Sequence, residues 1–251
     1  MIAIDKVYVL SVKKYKNRIK NIKGELKKHN IDFEFIFDFD PENISKNELK
    51  NYDLKNLSIK HISLIKKHIK AWENAINKNY KNILVLEDDA ILKKNFAHET
   101  NKILNEISKF NKGKLVFLGG ADTKTPFSKL LTDKSIFENP IATTEGYITD
   151  IDACKTRIKS LKNTLISLPA DHLLKKIDSE NKIKQYWSFR PLVEQGSVIG
   201  IFESELDKNR MKHSVLYNKL RYKWQKLRRR QLKTFLAILI YKFIKWNSEI
   251  N

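Results

Sequence analysis

The sequence predicts an α/β fold in which an open, mostly parallel sheet carries helices on both faces, with a basic amphipathic helical segment at the C-terminus. Three observations lead to this prediction. Short apolar runs alternate with amphipathic stretches along the first half of the chain. The length of 251 residues suits one such domain with a small appendage. A hydrophobic fraction of 41% beside 31% charged residues is sufficient to bury a core.

Strands and helices are expected to alternate up to residue 120. The strand-like runs are residues 7–12, 33–37, 83–86 and 114–120, and the helical stretches include residues 16–29, 62–76 and 103–107. In the second of these helices, apolar residues from Ile62 to Ile76 recur at spacings of three and four, which predicts one core-facing side. Residues 38–57 are polar and contain Pro41, so we expect a loop there.

The second half of the chain is less regular. The expected elements are a long loop, a strand, a helix and a strand-and-turn stretch, at residues 120–143, 144–150, 153–162 and 186–197. Pro169 and Asp171 stand where the first turn of a further helix is expected. From about residue 214 the chain becomes helical and basic. We therefore divide it into a domain at residues 1–213 and a helical tail at residues 214–251.

Three carboxylates, Glu87, Asp88 and Asp89, directly follow the apolar run of residues 83–86. The run lacks polar alternation, which predicts a strand that is buried on both faces. Two interpretations of the acids are open: a solvated turn or helix N-cap, and a divalent-metal site at the carboxyl edge of a parallel sheet. The spacing of Glu87 and Asp89 suits Mg²⁺ or Mn²⁺, which favour oxygen ligands and keep positions open for a diphosphate. Phosphatases and nucleotidyltransferases also carry acids at strand ends.

Several kinds of site and segment are excluded or disfavoured. The seven glycines form neither GxGxxG nor GxxxxGK[ST], so the chain has no dinucleotide fingerprint and no P-loop. The single cysteine, Cys154, excludes a disulfide framework and a cysteine-based zinc site, and it favours a reducing compartment. Residues 1–10 lack the pattern of a signal peptide, and no window offers about 20 apolar residues for a membrane span. We therefore expect a cytoplasmic protein.

Further polar residues are candidates for function, each with a simpler interpretation beside it. The candidates are Asp171 with His172, Glu194 with Gln195, and His68. Taken singly, Asp171 is more typical of an N-cap, and Glu194 of an ion-pair partner of Arg190. His68 lies off the main apolar stripe of its helix, and taken alone it is more typical of a surface or packing histidine.

The sequence contains, in this order, the blocks KHIKAW, ILVLEDDAIL, FLGG, EGYITD, PADHLL and RPLVEQGS. Together they resemble glycosyltransferase family 25, the lipooligosaccharide galactosyltransferases and their relatives, over about residues 7–210. LEDDA after an apolar strand is the most specific block, and LVEQGS is the next. The resemblance implies a GT-A-like catalytic domain, a donor such as UDP-galactose, a divalent cation (Mn²⁺ or Mg²⁺) and inversion at the anomeric carbon.

The resemblance also implies roles for individual residues. Glu87 and Asp89 match the acids expected to bind the metal. The residues expected to bind substrate are Ser11, Arg18, His68, Asp88, Gly119, Gly120, Tyr147, His172 and Gln195. The sequence departs from the family at two positions: Ser11 stands where many members have asparagine, and Lys67 replaces a serine. Both departures concern donor recognition and leave the acidic centre intact.

Inverting transfer requires one carboxylate to take a proton from the acceptor hydroxyl while the cation stabilises the diphosphate leaving group. This base has to lie on the acceptor side, away from the metal, and we expect Asp171, with Glu194 as the alternative. The expected reaction moves a sugar, galactose by the resemblance, to a lipid-linked lipooligosaccharide or lipopolysaccharide core acceptor. The alternatives are a metal-dependent phosphohydrolase and a basic nucleic-acid-binding protein. No nucleic acid is expected as a partner, because no motif for binding it is present.

The net charge of +20 is unevenly distributed, since residues 215–251 contain ten Lys or Arg and one acid, Glu249. Apolar residues recur there at helical spacing: Leu216, Leu220, Trp224 and Leu227. Such a basic amphipathic helix is expected to lie in an anionic membrane interface, at the inner face of the cytoplasmic membrane. The alternative is a helix packed on the catalytic domain or on a second subunit. Nothing in the sequence indicates an oligomeric state.

Overall fold

The computed structural model describes residues 2–120, 125–140, 143–202 and 214–250. The strands are β1 (Lys6–Leu10), β2 (Glu34–Ile36), β3 (Asn82–Glu87), β4 (Ala90–Leu92), β5 (Lys114–Phe117), β6 (Ile136–Glu138), β7 (Gly146–Asp150), β8 (Lys184–Ser188) and β9 (Val193–Gln195). The helices are α1 (Lys16–Lys28), α2 (Ile59–Asn77), α3 (Phe96–Ile107), α4 (Ile151–Leu161), α5 (Ala170–Glu180), α6 (Val215–Lys226) and α7 (Leu232–Ile250). A short π-helical segment, Leu227–Gln231, joins α6 to α7.

Seven strands form one open sheet in the order β2-β1-β3-β7-β5-β8-β6, and β4 pairs with β9 in a separate two-stranded sheet. The pairings of the large sheet show that β1, β2, β3, β5 and β8 run in one direction, whereas β6 and β7 run against them. Five of the seven strands are therefore parallel to one another. The predicted open, mostly parallel sheet is confirmed.

Alternation along β1 shows how both faces of the sheet are covered. Val9 lies in the core layer that contains Ile22 of α1 and Phe96 of α3. Tyr8, its neighbour in the chain, lies in the opposite layer with Trp72 of α2. All five side chains are at most 2% exposed. Full burial of one large apolar side chain stabilises a fold by about 1.5–3 kcal/mol, so both layers hold the sheet in place.

Side-chain caps define the beginnings of two helices beside the sheet. The Ser58 hydroxyl accepts a hydrogen bond from the His61 backbone N–H, and α2 begins after it. Asp150, the last residue of β7, accepts one from the Ala153 backbone N–H at 2.9 Å, and α4 begins there. Each cap satisfies a backbone donor that the first helical turn leaves unpaired.

The structure differs from the prediction in the second half of the chain. Residues 120–143 were expected to be a loop, but they contain a 3₁₀ turn, Phe127–Leu130, and the strand β6. The small β4–β9 sheet was not predicted either. A strand of three residues carries too weak a local pattern to stand out, because its partner strand supplies most of its stability.

The C-terminal helices pack on the domain through one side. Tyr222 and Ala237 are 7% and 0% exposed. Arg230 donates hydrogen bonds to the carbonyl oxygens of Ser188 and Phe189 at 2.8 and 2.9 Å. The opposite side, here called the outer face, carries large apolar residues that are 38–68% exposed: Leu216, Tyr217, Leu220, Trp224, Leu227, Leu232, Phe235, Leu236, Leu239, Ile240, Phe243, Ile244 and Trp246. Among the described helices, none has the length and apolarity needed to cross a membrane.

Candidate functional site

The three adjacent acids form the end of a central strand, and we call them the acidic edge. Glu87 is the last residue of β3, and Asp88 and Asp89 form the turn that leads into β4. Leu10 is the β1 partner of Glu87, so the loop between β1 and α1 begins beside the turn. The antiparallel strand β7 starts at Gly146 at the same edge. Three segments that are distant in sequence therefore meet here.

Asp88 is held by two of the predicted substrate-binding residues. Its carboxylate accepts hydrogen bonds from the Ser11 hydroxyl at 2.7 Å and from the Arg18 guanidinium at 3.0 Å. Burial raises the pKa of Asp88, while the charge of Arg18 and the Ser11 hydroxyl act in the opposite direction. The structure thus brings Ser11, Arg18 and Asp88 together, and serine at position 11 supplies a donor to the acid.

Asp89 is held by the segment that follows β9. Its backbone carbonyl accepts a hydrogen bond from the Gly196 N–H at 2.7 Å, and its Oδ2 atom accepts one from the Ser197 N–H at 3.1 Å. A Cβ atom on Gly196 would lie 2.8 Å from the Asp89 carbonyl oxygen, so only glycine allows this approach. The LEDDA and LVEQGS blocks are therefore in direct contact.

Glu87 is half-buried beside Asp89. Its Oε1 atom accepts a hydrogen bond from the Thr144 hydroxyl at 2.6 Å. Burial and the charge of Asp89 raise the pKa of Glu87 to about 8. Carboxylates crowded together in this way favour either a shared proton or a bound cation.

Glu145 is a further acid at this edge that sequence reasoning missed. Its backbone carbonyl accepts the Glu87 N–H at 3.1 Å, and its Oε1 atom accepts the Gly120 N–H. A Cβ atom on Gly119 would lie 2.1 Å from Glu145 Oε1, so the first glycine leaves room for this carboxylate. Gly120 has a φ of +75°, a backbone conformation that favours glycine. The two predicted glycines thus position Glu145.

His68 and Tyr147, both predicted to bind substrate, lie inside the protein. They are 2% and 0% exposed. The Tyr147 hydroxyl lies 2.9 Å from His68 Nδ1 and accepts a hydrogen bond from Trp72 Nε1 at 3.0 Å. Burial and the charge of Arg157 lower the pKa of His68 to about 3, so the ring is neutral. The two side chains join α2 to β7 in this arrangement, and their substrate-binding role stays a prediction.

Asp171, the predicted base, lies in the first turn of α5 and is half-buried. Since β7 runs against the parallel strands, α4 returns the chain to the carboxyl edge and α5 begins there. The Asp171 carboxylate accepts the backbone N–H of the exposed His172 at 2.8 Å. Burial lowers the pKa of His61, at the start of α2, and the charge of Asp171 opposes this change. Asp171 and His172 therefore lie at the carboxyl edge of the sheet.

Glu194, the alternative base, has two cationic partners. Its Oε1 atom accepts hydrogen bonds from Lys93 and from Lys226 of α6. Burial raises the pKa of Glu194, but the two lysines outweigh this effect and the net change is a lowering. The suggested partner Arg190 is replaced by these lysines. Gln195 is partly exposed and is paired with Ala90 across the β4–β9 sheet.

Glu87 and Asp89 fit a divalent cation. Asp89 Oδ1 is buried and has no hydrogen-bond partner within the described part of the chain. Over the same residues, no group of three or more His, Cys, Asp or Glu side chains forms a complete metal site. Mg²⁺ needs only one or two protein carboxylates when water and substrate phosphates complete its coordination. The acidic edge therefore suits a cation that binds together with a diphosphate.

Comparisons with solved structures return distant similarities. A glycosyltransferase involved in the glycosylation of the major capsid of PBCV-1 is 12% identical, with 87% of this chain and 99% of that chain covered and a TM-score of 0.41. The inositol-1-phosphate CTP transferase from T. maritima is 10% identical, with coverages of 84% and 96% and a TM-score of 0.40. Galactosyltransferase LgtC, in complex with donor and acceptor sugar analogs, is 8% identical, with coverages of 88% and 95% and a TM-score of 0.40.

The comparison with protein families is decisive, whereas a search of curated proteins found no match. Residues 4–174 match the family described as glycosyltransferase family 25 (LPS biosynthesis protein). The matched range contains the acidic edge, Glu145 and Asp171. It spans more than half of the 251 residues. The chain therefore belongs to glycosyltransferase family 25.

Proposed function

We propose that this glycosyltransferase moves galactose from UDP-galactose to a lipid-linked lipooligosaccharide or lipopolysaccharide core acceptor, with inversion and with the help of Mn²⁺ or Mg²⁺. The observation that carries the proposal is the crowding of carboxylates at the acidic edge. Glu87 has a raised pKa, and Asp89 keeps one buried oxygen without a hydrogen-bond partner among the described residues. A cation bound to these oxygens would relieve both features.

Each acid has a distinct place in the proposal. Glu87 and Asp89 would hold the cation, which, when bound, supplies charge neutralisation for the departing diphosphate. Asp88 is already neutralised by Arg18 and bound by Ser11, so it would orient the donor side of the site. Thr144 and Ser197 fix the two metal-binding carboxylates by hydrogen bonds, which limits the reorganisation that donor binding requires.

Asp171 is the proposed general base. It lies at the carboxyl edge of the sheet, outside the acidic edge, and it is partly exposed. A base must be accessible to the acceptor hydroxyl. Glu194 fits this role less well, because a carboxylate that accepts hydrogen bonds from two lysines is a weaker proton acceptor.

The outer face of the tail supports membrane association. α6 and α7 expose aromatic and aliphatic side chains beside ten Lys or Arg in residues 215–251. A helix of this kind gains from apolar burial in the membrane interface and from attraction to anionic headgroups. The inner side is occupied by the domain through Arg230 and Ala237, so the two expected roles of the tail are compatible. We place the enzyme at the inner face of the cytoplasmic membrane.

A screen of UDP-sugars with and without Mn²⁺, with UDP release as the readout, tests the proposed function. UDP release that depends on UDP-galactose, on Mn²⁺ and on an added acceptor is the expected result. Release of phosphate from simple phosphate esters without transfer would instead support a phosphohydrolase. The anomeric configuration of the product, measured by NMR, decides between inversion and retention.

A further inference from the structure

We propose that a groove between α7 and the domain binds the phosphate group of a membrane lipid headgroup; this inference rests on the membrane association proposed above. The groove has a volume of about 470 Å³, which is within the range of ligand sites. One wall is α7. The other is formed by α3, by the residues before β6 and by the segment between β8 and β9.

The charge of the groove favours a phosphate. Five cationic side chains line it: Lys102, Lys134, Arg190, Lys242 and Lys245. Two acids, Glu99 and Asp133, face them. Lys102 is paired with Glu99 at 3.3 Å, but within the described residues the other four cations have no ion pair. A guanidinium fork beside several ammonium groups is the combination that binds phosphate oxygens strongly.

The position of the groove favours a lipid as the source of that phosphate. Lys242 and Lys245 line the groove at helical spacing from Ile238, on the inner side of α7. On the outer face of the same helix, Phe243 and Trp246 are 60% and 59% exposed. If the outer face enters a membrane interface, the mouth of the groove lies at the level of the headgroups.

The groove is also connected to the acidic edge. Arg190 lines it, and the chain continues directly into β9 and then to Ser197, whose backbone N–H holds Asp89. Between these points, the Leu192 N–H donates to the carbonyl of Leu118, the residue after β5, at 2.6 Å and fixes the segment there. A headgroup in the groove would thus contact the same segment that shapes the metal-binding turn. This arrangement suits an acceptor whose lipid-borne phosphate is bound while its sugar reaches the active site.

Vesicle co-sedimentation of the full-length chain tests the inference. The vesicles contain phosphatidylcholine with either phosphatidic acid, which exposes a phosphomonoester, or phosphatidylglycerol at matched surface charge. The groove variant is Lys242→Gln/Lys245→Gln. Its control is Lys219→Gln/Lys223→Gln, on exposed parts of α6. Both double variants remove two positive charges from the tail. Arg190→Gln removes a groove cation that belongs to the domain. Thermal melts confirm that each variant is folded.

We expect the wild type to bind the phosphatidic acid vesicles about tenfold more tightly than the phosphatidylglycerol vesicles, because several cations converge on one phosphate. Both groove variants should lose this preference, and the α6 variant should keep it while binding all anionic vesicles more weakly. Equal binding of both vesicle types by the wild type, or equal losses in the groove and α6 variants, would overturn the inference. The inference would also be overturned if added inorganic phosphate failed to displace the protein from either type of vesicle. Sugar transfer to a soluble acceptor should be the same in all variants as in the wild type, because such an acceptor carries no lipid phosphate. If the wild type itself transferred no sugar, the proposed function would be refuted, whatever the vesicle results.

Discussion

The acidic edge and the C-terminal tail differ in how they hold their charges. At the acidic edge, Glu87, Asp88 and Asp89 are turned inward, and neighbouring segments fix each carboxylate by hydrogen bonds. In the tail, Lys226 and Arg230 are paired with the domain, but most of the cations are exposed. Crowded charges of one sign repel one another and are stabilised by a bound counterion, whereas dispersed surface charges attract large surfaces of opposite charge. Under the proposed function, the first region binds a small ligand and the second a membrane surface.

The largest expected effect separates the two regions directly. Asp89→Asn should lower turnover by about 10³-fold, because cation-assisted stabilisation of the leaving group accounts for several kcal/mol. Glu180→Gln removes an exposed acid at the far end of α5 and should leave turnover unchanged. Steady-state kinetics with a UDP-sugar and vesicle binding are the measurements. If Asp89→Asn lost vesicle binding along with turnover, the separation of the two regions would be wrong.

Asp171→Asn should lower kcat by about 10²-fold, with donor KM nearly unchanged, because a general base acts on the acceptor. Glu194→Gln should instead lower the melting temperature, since Lys93 and Lys226 lose their shared partner. Kinetics and thermal melts of both variants check this. The opposite pattern, a stable Glu194→Gln with low kcat beside an active Asp171→Asn, would exchange the two roles.

The two sides of the tail should respond differently to substitution. Phe243→Ser/Trp246→Ser should weaken vesicle binding at least tenfold and leave the melting temperature unchanged, because both side chains are exposed. Arg230→Gln should lower the free energy of unfolding by about 1–3 kcal/mol, since the carbonyl oxygens of Ser188 and Phe189 lose their donor. Co-sedimentation and melts separate these effects. A tail that is purely structural would lose stability in both variants and show no lipid preference in either.

A further expected effect, on stability as a function of pH, concerns the buried histidine. His68 has a pKa of about 3 in the folded protein and 6.5 as its ordinary value. Between these values the unfolded chain binds more protons, so stability is complete above pH 6.5 and falls as the pH falls, by up to about 1.4 kcal/mol per pH unit. His68→Asn should flatten this slope, and the exposed His98→Asn should not. Denaturant titrations across this pH range give the slopes. An unchanged slope in His68→Asn would mean that the ring is accessible to solvent.

The contrast between the regions also explains what the sequence could predict. The acidic edge was found because its apolar strand and its three acids are adjacent in the chain. Glu145 and Ser197 escaped notice because β7 and β9 bring them to Glu87 and Asp89 from distant parts of the sequence. A local pattern records neither the direction of β7 nor its partners.

Helical spacing was only partly informative about burial. His68 lies off the apolar stripe of its helix, yet it is buried because Tyr147 provides a polar partner inside the core. The tail was correctly predicted to be helical and basic. Its attachment through Lys226 and Arg230 was not predictable, because the same cations fit a solvated face equally well until their partners are known.

Calorimetric titration of UDP into the wild type and into Asp89→Asn, with and without Mn²⁺, tests the central claim most directly. The claim is that Glu87 and Asp89 of the acidic edge bind a cation and a diphosphate together. We expect Mn²⁺ to raise the affinity of the wild type for UDP at least tenfold and to have little effect on Asp89→Asn. Equal UDP affinity of the wild type in Mn²⁺ and in chelator, or an undiminished Mn²⁺ effect in Asp89→Asn, would contradict it.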